Sequence, residues 1–172
     1  PLKTVPVDVT NQESVDKAVE RVTKELGSTG KLWAIVNNAG VFATYGPDDW
    51  LKSSEYEEAL GVNTLGVIRV SQAFRSLLKK SKGRVVTIAS VAGRLAVSTC
   101  GPYSVSKFAV VAYMDVIRNE LRPFGVTCHV LEPGIFRTTL IEEKAYEKRL
   151  NFSFNRCSDA VKNEYGREFV DD

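Results

Sequence analysis

Three side chains in the middle of the sequence have the types and the spacing needed to move a proton to or from an oxygen atom. Tyr103 and Lys107 stand four positions apart in a predicted helix, which puts both side chains on one of its faces. A free tyrosine has a pKa of about 10, and a nearby ammonium group lowers that value by stabilising the phenolate. Ser90 ends a predicted strand, and its hydroxyl could donate a hydrogen bond to the oxygen of a substrate alcohol or carbonyl group.

Each of these residues also has an ordinary structural explanation. A tyrosine and a lysine four positions apart on a helix are most often partly exposed side chains. A serine at the end of a strand is most often a turn former or a helix cap. The chemical interpretation is favoured because the three residues follow one another through a strand, a loop and a helix.

Short apolar runs alternate with amphipathic segments along the chain, which is typical of parallel strands joined by crossover helices. The runs predict strands at 4–8, 32–36, 84–89 and 126–131. Helices are predicted from a Thr10 and Glu13 capping box to Gly27, from Ser54 to about residue 80, and over 102–121. The second of these helices begins with a box of Ser54 and Glu57 and is interrupted near Gly61 or Gly66. In the third, helical spacing predicts one buried face, made of Val105, Phe108, Ala109, Ala112 and Val116.

This pattern predicts an α/β fold, a doubly wound Rossmann-type parallel sheet with helices on both faces, in a single domain over residues 1–172. In such a sheet, ligands bind in the crevice beyond the carboxyl ends of the strands. The residues expected at those ends are Asp8, Asn37, Asn38, Ala39, Gly40, Ser90, Pro133 and Gly134.

The composition excludes several other kinds of function. Lys and Arg number 23 against 21 Asp and Glu, for a net charge of +2, and no basic stripe suits a nucleic acid. The cysteines Cys100, Cys128 and Cys157, together with the single histidine His129, have no metal-binding spacing, so no metal is expected. No apolar run approaches the roughly 20 residues that cross a bilayer.

Taken together, several motifs resemble the short-chain dehydrogenase/reductase family, namely Asn37, Asn38, Ala39, Gly40, Asn63, Ser90, Tyr103, Lys107, Pro133 and Gly134. The resemblance implies an oxidoreductase that transfers a hydride between NAD or NADP and an alcohol or carbonyl group. It also implies a catalytic tetrad, in which Tyr103 is the acid or base and Ser90 donates to the substrate oxygen. Lys107 would contact the cofactor ribose and lower the pKa of Tyr103, while Asn63 would hold Lys107 through water.

The same resemblance implies further cofactor contacts. It puts Asp8 beside the adenine ring and Asn37, Ala39 and Gly40 near the adenosine ribose. It puts Pro133, Gly134 and Thr138 at the nicotinamide end, although Thr139 stands next to Thr138. Two alternatives stay open, because Asp8 could equally be a helix cap and residues 37–40 could form a simple turn.

Segments 32–36, 46–51 and 161–166 resemble the retinol and hydroxysteroid dehydrogenase branch. This implies an apolar alcohol or ketone substrate such as a retinoid or sterol, a homodimer through the helices that carry Asn63 and Tyr103, and an endoplasmic reticulum membrane location. Trp50 could be a substrate contact or a surface aromatic. One alternative is a dehydrogenase for a small hydroxy acid such as 3-hydroxybutyrate. Another is a non-catalytic pseudoenzyme that partners intact subunits.

The sequence departs from the family in one respect. Family members begin with a strand and a T-G-x3-G-x-G turn that binds the pyrophosphate, and no such turn occurs here. The first βαβα portion is therefore expected to be missing. Any membrane anchor and the residue that selects NAD or NADP would lie in that portion. We expect the 172-residue chain alone to bind nicotinamide cofactor weakly and to be inactive.

Overall fold

The computed structural model describes residues 2–136, 143–166 and 169. Within these residues a parallel sheet has the order β1 (Ala34–Asn37), β2 (Arg84–Ile88) and β3 (Thr127–Leu131). The helices are α1 (Gln12–Leu26), α2 (Ser53–Leu60), α3 (Val67–Ala73), α4 (Arg75–Ser81), α5 (Gly101–Leu121), α6 (Glu143–Asn155) and α7 (Asp159–Tyr165). A π-helix (Gly61–Gly66) joins α2 to α3, and 3-10 turns lie at Asp48–Trp50, Val91–Gly93 and Arg122–Phe124. The predicted α/β class with a parallel sheet is confirmed.

The strand predicted at 4–8 is wrong, because this segment is exposed, has no regular secondary structure and pairs with none of the described strands. Val7, Val9 and Val36 line an apolar cavity of about 170 Å³, and among the described strands β1 pairs with β2 alone. An extended segment becomes a β-strand only when a neighbour accepts and donates its backbone hydrogen bonds. The apolar pattern of residues 4–8 is typical of a strand, but it cannot show whether a neighbouring strand pairs with this segment.

The first two helices have the predicted course but begin with different caps. Asn11 rather than Thr10 caps α1, and its side chain accepts a hydrogen bond of 3.0 Å from the Ser14 amide. Gly27, with a φ of 59°, ends the helix as expected. At α2 the predicted Ser54 and Glu57 box is replaced by the Glu55 carboxylate, which accepts from the Lys52 amide at 2.8 Å.

The predicted interruption of the second helix is a π-helical turn that begins at Gly61 and ends at Gly66. A Cβ on Gly66 would lie 2.8 Å from Val9 Cγ2, so this close approach requires glycine. The wider turn carries Asn63, which is 1% exposed. π-turns often occur at functional sites in helices.

The face of α5 expected to be buried is largely exposed. Val105, Phe108 and Val116 are 45%, 43% and 54% exposed, Ala112 is also exposed, and Ala109 is only half-buried. The face that packs against the sheet holds Ser106, Lys107, Val110, Val111, Met114, Ile117 and Leu121. Apolar residues occur around most of this helix, so periodicity alone could not select the side that the sheet covers.

Besides a small cluster of Val67, Ala89, Val110 and Val111, two groups of buried residues hold the described elements together. The larger one joins α1, α3, α4 and α5 to the sheet through Ala18, Ile35, Phe74, Leu78, Val85, Met114, Ile117, Leu121, Val126 and Cys128. A smaller one, of Trp50, Leu150 and Phe154, attaches α6 to the turn at Asp48–Trp50. The sheet, α5 and α6 therefore have fixed positions around the strand ends.

Replacing Ile117 with alanine should lower the free energy of unfolding by about 2–5 kcal/mol, because the side chain is 2% exposed and its removal leaves a cavity. Val116→Ala, one position along the same helix, is the matched control and should change stability by no more than about 0.5 kcal/mol. Urea denaturation at low protein concentration measures both. Equal losses would contradict the orientation of α5.

Candidate active site

A cavity of about 400 Å³ lies at the carboxyl ends of the strands, where the sequence predicts a ligand site. Its lining comes from the loop after β1, the end of β2, the start of α5 and the loop after β3. The lining residues are Asn38, Gly40, Val41, Ile88, Ala89, Ser90, Tyr103, Lys107, Pro133, Gly134 and Phe136. Three of the four expected tetrad residues, Ser90, Tyr103 and Lys107, therefore line the same cavity. Three of the other expected cofactor contacts line it as well, namely Gly40, Pro133 and Gly134.

Ser90 and Tyr103 both line this cavity. The Ser90 side chain accepts a hydrogen bond of 3.1 Å from the Ala92 amide and so caps the short turn after β2. Tyr103 lies in the first turn of α5, directly after Pro102. Burial raises the pKa of Tyr103, and a hydrogen bond with Ser90 partly opposes that rise. The Ser90 side chain therefore caps the turn after β2 and also hydrogen bonds with Tyr103.

Lys107 is 6% exposed, and its Nζ atom donates to the Ile88 carbonyl oxygen at 3.0 Å. Burial lowers the pKa of this lysine to about 8. Nζ lies 5.5 Å from the centroid of the Tyr103 ring. The influence that opposes the effect of burial on the Tyr103 pKa comes from Ser90, and the lowering of this pKa by Lys107, which the resemblance implies, stays a prediction.

Asn63 acts as a bridge between two backbone segments rather than as a direct partner of Lys107. Its Oδ1 accepts from the Val41 amide at 2.8 Å, and its Nδ2 donates to the Val41 carbonyl at 2.9 Å. Nδ2 also donates to Ser106 Oγ at 2.9 Å, and Ser106 donates to the Tyr103 carbonyl at 2.7 Å. The proposed water link from Asn63 to Lys107 stays a prediction.

One neighbour of this bridge, Ser106, was not singled out in the sequence, whereas the other, Gly40, was expected to contact the cofactor. Ser106 is fully buried, and the only signal for it was a small residue directly before Lys107. Gly40 approaches so closely that an added Cβ would lie 3.2 Å from Asn63 Oδ1 and 3.9 Å from Lys107 Nζ. Glycine at this position leaves room beside the ammonium group.

The remaining expected cofactor contacts lie apart from this cavity. The Asn37 side-chain amide lies between α3 and β2 and donates to Ser71 Oγ at 3.1 Å and to Thr87 Oγ1 at 3.2 Å. Asn37 and Ala39 line the smaller cavity beside β1. Asp8 is exposed and accepts from the Thr10 amide and hydroxyl, which lowers its pKa. Thr138 lies outside the described residues.

An aromatic row flanks Tyr103, and the sequence analysis did not identify it. The Phe42 ring stacks on Tyr103 with centroids 4.7 Å apart and planes 24° apart. Tyr45 stacks on Phe42 at 5.4 Å, and Tyr146 of α6 meets Tyr45 edge-on at 4.4 Å. These rings form an apolar wall beside the hydroxyl of Tyr103.

Trp50 has neither of the two roles suggested for it, since it is 3% exposed and packs inside the smaller core. Its ring meets Phe154 and Tyr165 edge-on at 5.2 and 5.3 Å. Arg156 reinforces the attachment by donating to the Trp50 carbonyl at 2.8 Å and by pairing with Glu55 at 2.6 Å. Trp50 thus anchors the α6–α7 hairpin next to the site.

A parallel α/β fold with Ser90, Tyr103 and Lys107 around a cavity at the strand ends is typical of nicotinamide-dependent dehydrogenases. A family model described as short chain dehydrogenase matches residues 1–149. The chain belongs to the short-chain dehydrogenase family. It is 50% identical over 172 residues, 99% of the chain and 44% of the relative, to 3beta-hydroxysteroid dehydrogenase dhs-16 of Caenorhabditis elegans. It is 40% identical over 170 residues, 99% of the chain and 53% of the relative, to Retinol dehydrogenase 5 of Mus musculus.

Solved structures give the same fold. An NAD+-bound xylitol dehydrogenase has a TM-score of 0.74 at 25% identity, over 89% of this chain and 56% of that one. An alcohol dehydrogenase from Thermococcus sibiricus, complexed with 5-hydroxy-NADP, has a TM-score of 0.69 at 29% identity over 77% and 54%. The chain spans about half the length of the relatives it matches.

Two kinds of feature are absent from the described part of the chain. No helix there is both long and apolar enough to cross a membrane. No group of three or more histidine, cysteine or acidic side chains there could hold a metal ion.

The burial of Lys107 predicts a pH-dependent contribution to stability. Between its folded pKa of about 8 and its ordinary value of 10.5, the unfolded chain holds a proton that the folded chain releases. Stability from this group therefore rises with pH across that window and is constant below it. The unfolding free energy of the wild type minus that of Lys107→Met should rise from pH 8 to pH 10.5 in denaturant titrations. The exposed Lys24→Met control should give no such trend, and a flat difference for Lys107 would disprove the burial effect.

Proposed function

We propose that this chain carries the proton-transfer part of a nicotinamide-dependent dehydrogenase that acts on the alcohol or carbonyl group of an apolar substrate, a retinoid or a steroid. The observation that carries the proposal is the meeting of Ser90, Tyr103 and Lys107 around one cavity at the strand ends. The names of the relatives, a hydroxysteroid and a retinol dehydrogenase, support this substrate class. The aromatic row beside Tyr103 offers such a substrate an apolar surface.

The cavity suits the nicotinamide and ribose end of NAD or NADP, and the two solved structures above are complexes with NAD+ and with 5-hydroxy-NADP. The ammonium group of Lys107 is buried beside Gly40, has no carboxylate partner among the described residues, and could donate to ribose hydroxyls. A Cβ on Gly134 would meet none of the described atoms within 4 Å. When bound, the cofactor supplies or accepts the hydride.

In the proposed reaction, Tyr103 exchanges a proton with the substrate oxygen while Ser90 Oγ donates a hydrogen bond to that oxygen. Burial favours the neutral phenol of Tyr103, which suits donation to a carbonyl oxygen during reduction. For oxidation the phenolate must form, and a positive charge on Lys107 would stabilise it. The hydrogen bonds of Asn63 to Val41 and to Ser106 hold the loop after β1 in place against α5.

Replacing Tyr103 with phenylalanine in the full-length protein should lower kcat by about 10²–10⁴-fold, because the proton donor is lost while the ring is kept. Cofactor affinity, measured separately by fluorescence titration, should change little. Tyr113→Phe is the matched control, since Tyr113 is also a partly buried tyrosine of α5 but contacts Arg75 instead. Undiminished turnover by Tyr103→Phe would refute the proposed role.

A homodimer through α5 and the π-helical turn is part of the same proposal. Val105, Phe108 and Val116 on α5 and Leu65 on the π-helical turn are large apolar residues that solvent reaches, each 43–54% exposed. An exposed apolar strip of this kind is typical of a protein interface.

An endoplasmic reticulum membrane location is likewise a proposal, which rests on the family resemblance alone.

Phe108→Glu should raise the dissociation constant of the dimer by at least about tenfold, because it puts a charge into an apolar contact. Phe124→Glu is the control, since Phe124 is 47% exposed but lies at the other end of the helix. Sedimentation equilibrium of the full-length protein measures both variants. A dimer unaffected by Phe108→Glu would exclude this face.

A further inference from the structure

The loop after β1 is held against the start of α5 at both of its ends. At one end the Val41 amide donates to Asn63 Oδ1 at 2.8 Å. At the other end the Gly46 amide donates to the Thr99 carbonyl oxygen at 2.9 Å. Gly46 also forms an isolated parallel bridge with Cys100, the residue directly before α5. The loop therefore runs beside the first residues of α5 with both of its ends fixed.

Tyr45 fastens the middle of the same loop. Burial and a hydrogen bond with the buried Cys100 raise the pKa of Tyr45. The Tyr45 carbonyl oxygen accepts a hydrogen bond from Ser153 of α6, which is fully buried. The Tyr45 ring stacks on Phe42 with centroids 5.4 Å apart and planes 8° apart. Tyr45 therefore supports the Phe42 ring while it is bound to α6 and to the residue before α5.

Phe42 brings its half-buried ring onto the ring of Tyr103, with centroids 4.7 Å apart and planes 24° apart. Arg149 of α6 contacts the same ring, with Cζ 5.5 Å from the centroid of Phe42. The next residue, Ala43, has a φ of 64°. This left-handed conformation is unfavourable for a residue with a Cβ atom, and it persists only where the surrounding structure enforces it. The loop thus tolerates local strain in the conformation that keeps Phe42 on Tyr103.

The other groups near the Tyr103 side chain act mainly through charge and hydrogen bonding. Burial raises the pKa of Tyr103, a hydrogen bond with Ser90 opposes this rise, and the nearby thiol of Cys100 adds to it. Lys107 Nζ lies 5.5 Å from the centroid of the Tyr103 ring. Phe42 adds a stacked contact, which excludes water from the part of the phenol that it covers and favours one direction of the ring plane.

We infer that Phe42 is a positioning residue for Tyr103, because its ring, supported by Tyr45, holds the phenol in the plane from which the hydroxyl reaches the substrate oxygen. The inference rests on the proposed function, which makes Tyr103 the acid or base. A side chain that keeps a reacting group in place acts mainly on kcat, since a misplacement of about 1 Å can cost about 10²-fold in rate. A side chain that only offers the substrate an apolar surface would act on KM instead.

The first test measures kcat and KM of Phe42 variants of the full-length protein, with a 3β-hydroxysteroid and with retinol, each with NAD+ and NADP+. Phe42→Ala should lower kcat by about tenfold and leave the affinity for the cofactor unchanged. Phe42→Tyr keeps the ring and should retain most of the turnover, and Phe42→Leu should lie between the two. Ile117→Val is the control for a purely structural loss, because it removes a buried methyl group outside the cavity. It should lower stability without changing kcat or KM.

A second test needs no turnover. In NMR spectra of full-length protein labelled with 13C at tyrosine Cζ, the Tyr103 signal is the one that Tyr103→Phe removes. Because the Phe42 ring contributes to the burial of the phenol, Phe42→Ala should move the pKa of Tyr103 down towards its ordinary value of 10. Ile117→Val should leave that pKa unchanged.

The two tests separate the inference from the proposed function. A raised substrate KM with unchanged kcat in Phe42→Ala, or a Tyr103 pKa that this variant does not move, would overturn the inference. So would a loss of kcat in Ile117→Val as large as that in Phe42→Ala. Full turnover by Tyr103→Phe would instead contradict the proposed function, whatever the Phe42 variants do to the Tyr103 pKa.

Discussion

The buried amide of Asn63 is the constraint on which the site depends. A polar side chain at 1% exposure loses its contacts with water and is stable only if its hydrogen bonds are made within the protein. Asn63 meets this condition by bonding to the backbone of Val41 and to Ser106. These bonds tie the loop after β1 to α5. The positions of Gly40 and Phe42 on one side, and of Tyr103 and Lys107 on the other, follow from that connection.

The π-helical turn explains how a helix can place an asparagine so deeply. Gly61 begins the turn, and Gly66 ends it where Val9 leaves no space for a side chain. The neighbouring Thr64 adds a second bond to the same segment of α5 by donating to the Ser106 carbonyl at 2.9 Å. Two adjacent polar residues of one irregular turn thus hold the start of the helix that carries Tyr103. An irregularity in the backbone is used here to position side chains.

The site has two walls of different chemistry, and separate parts of the fold supply them. The sheet and α5 provide Ser90 and Lys107, with the ammonium group desolvated and bound to the Ile88 carbonyl. The α6–α7 hairpin is attached through its own small core around Trp50 and through the pair of Arg156 and Glu55. Removing one partner of a buried ion pair is costly because the other charge is left unpaired. The hairpin can therefore carry aromatic and cationic groups to the site without altering the proton-transfer residues.

The sequence by itself determined the α/β class, the course of the helices up to α5 and the residues that meet at the strand ends. Local patterns carry this information, since apolar periodicity follows the backbone repeat and Ser90, Tyr103 and Lys107 keep a fixed spacing within a strand, a loop and a helix. Only the tertiary structure decided that 4–8 pairs with no described strand, that Val105, Phe108 and Val116 face outward, and that the Asn37 side chain binds Ser71 of α3. It also brought Phe42 onto Tyr103 and Arg149 next to Phe42. These features depend on contacts between residues far apart in the chain, where burial and hydrogen-bond satisfaction are set by the neighbour and not by the local pattern.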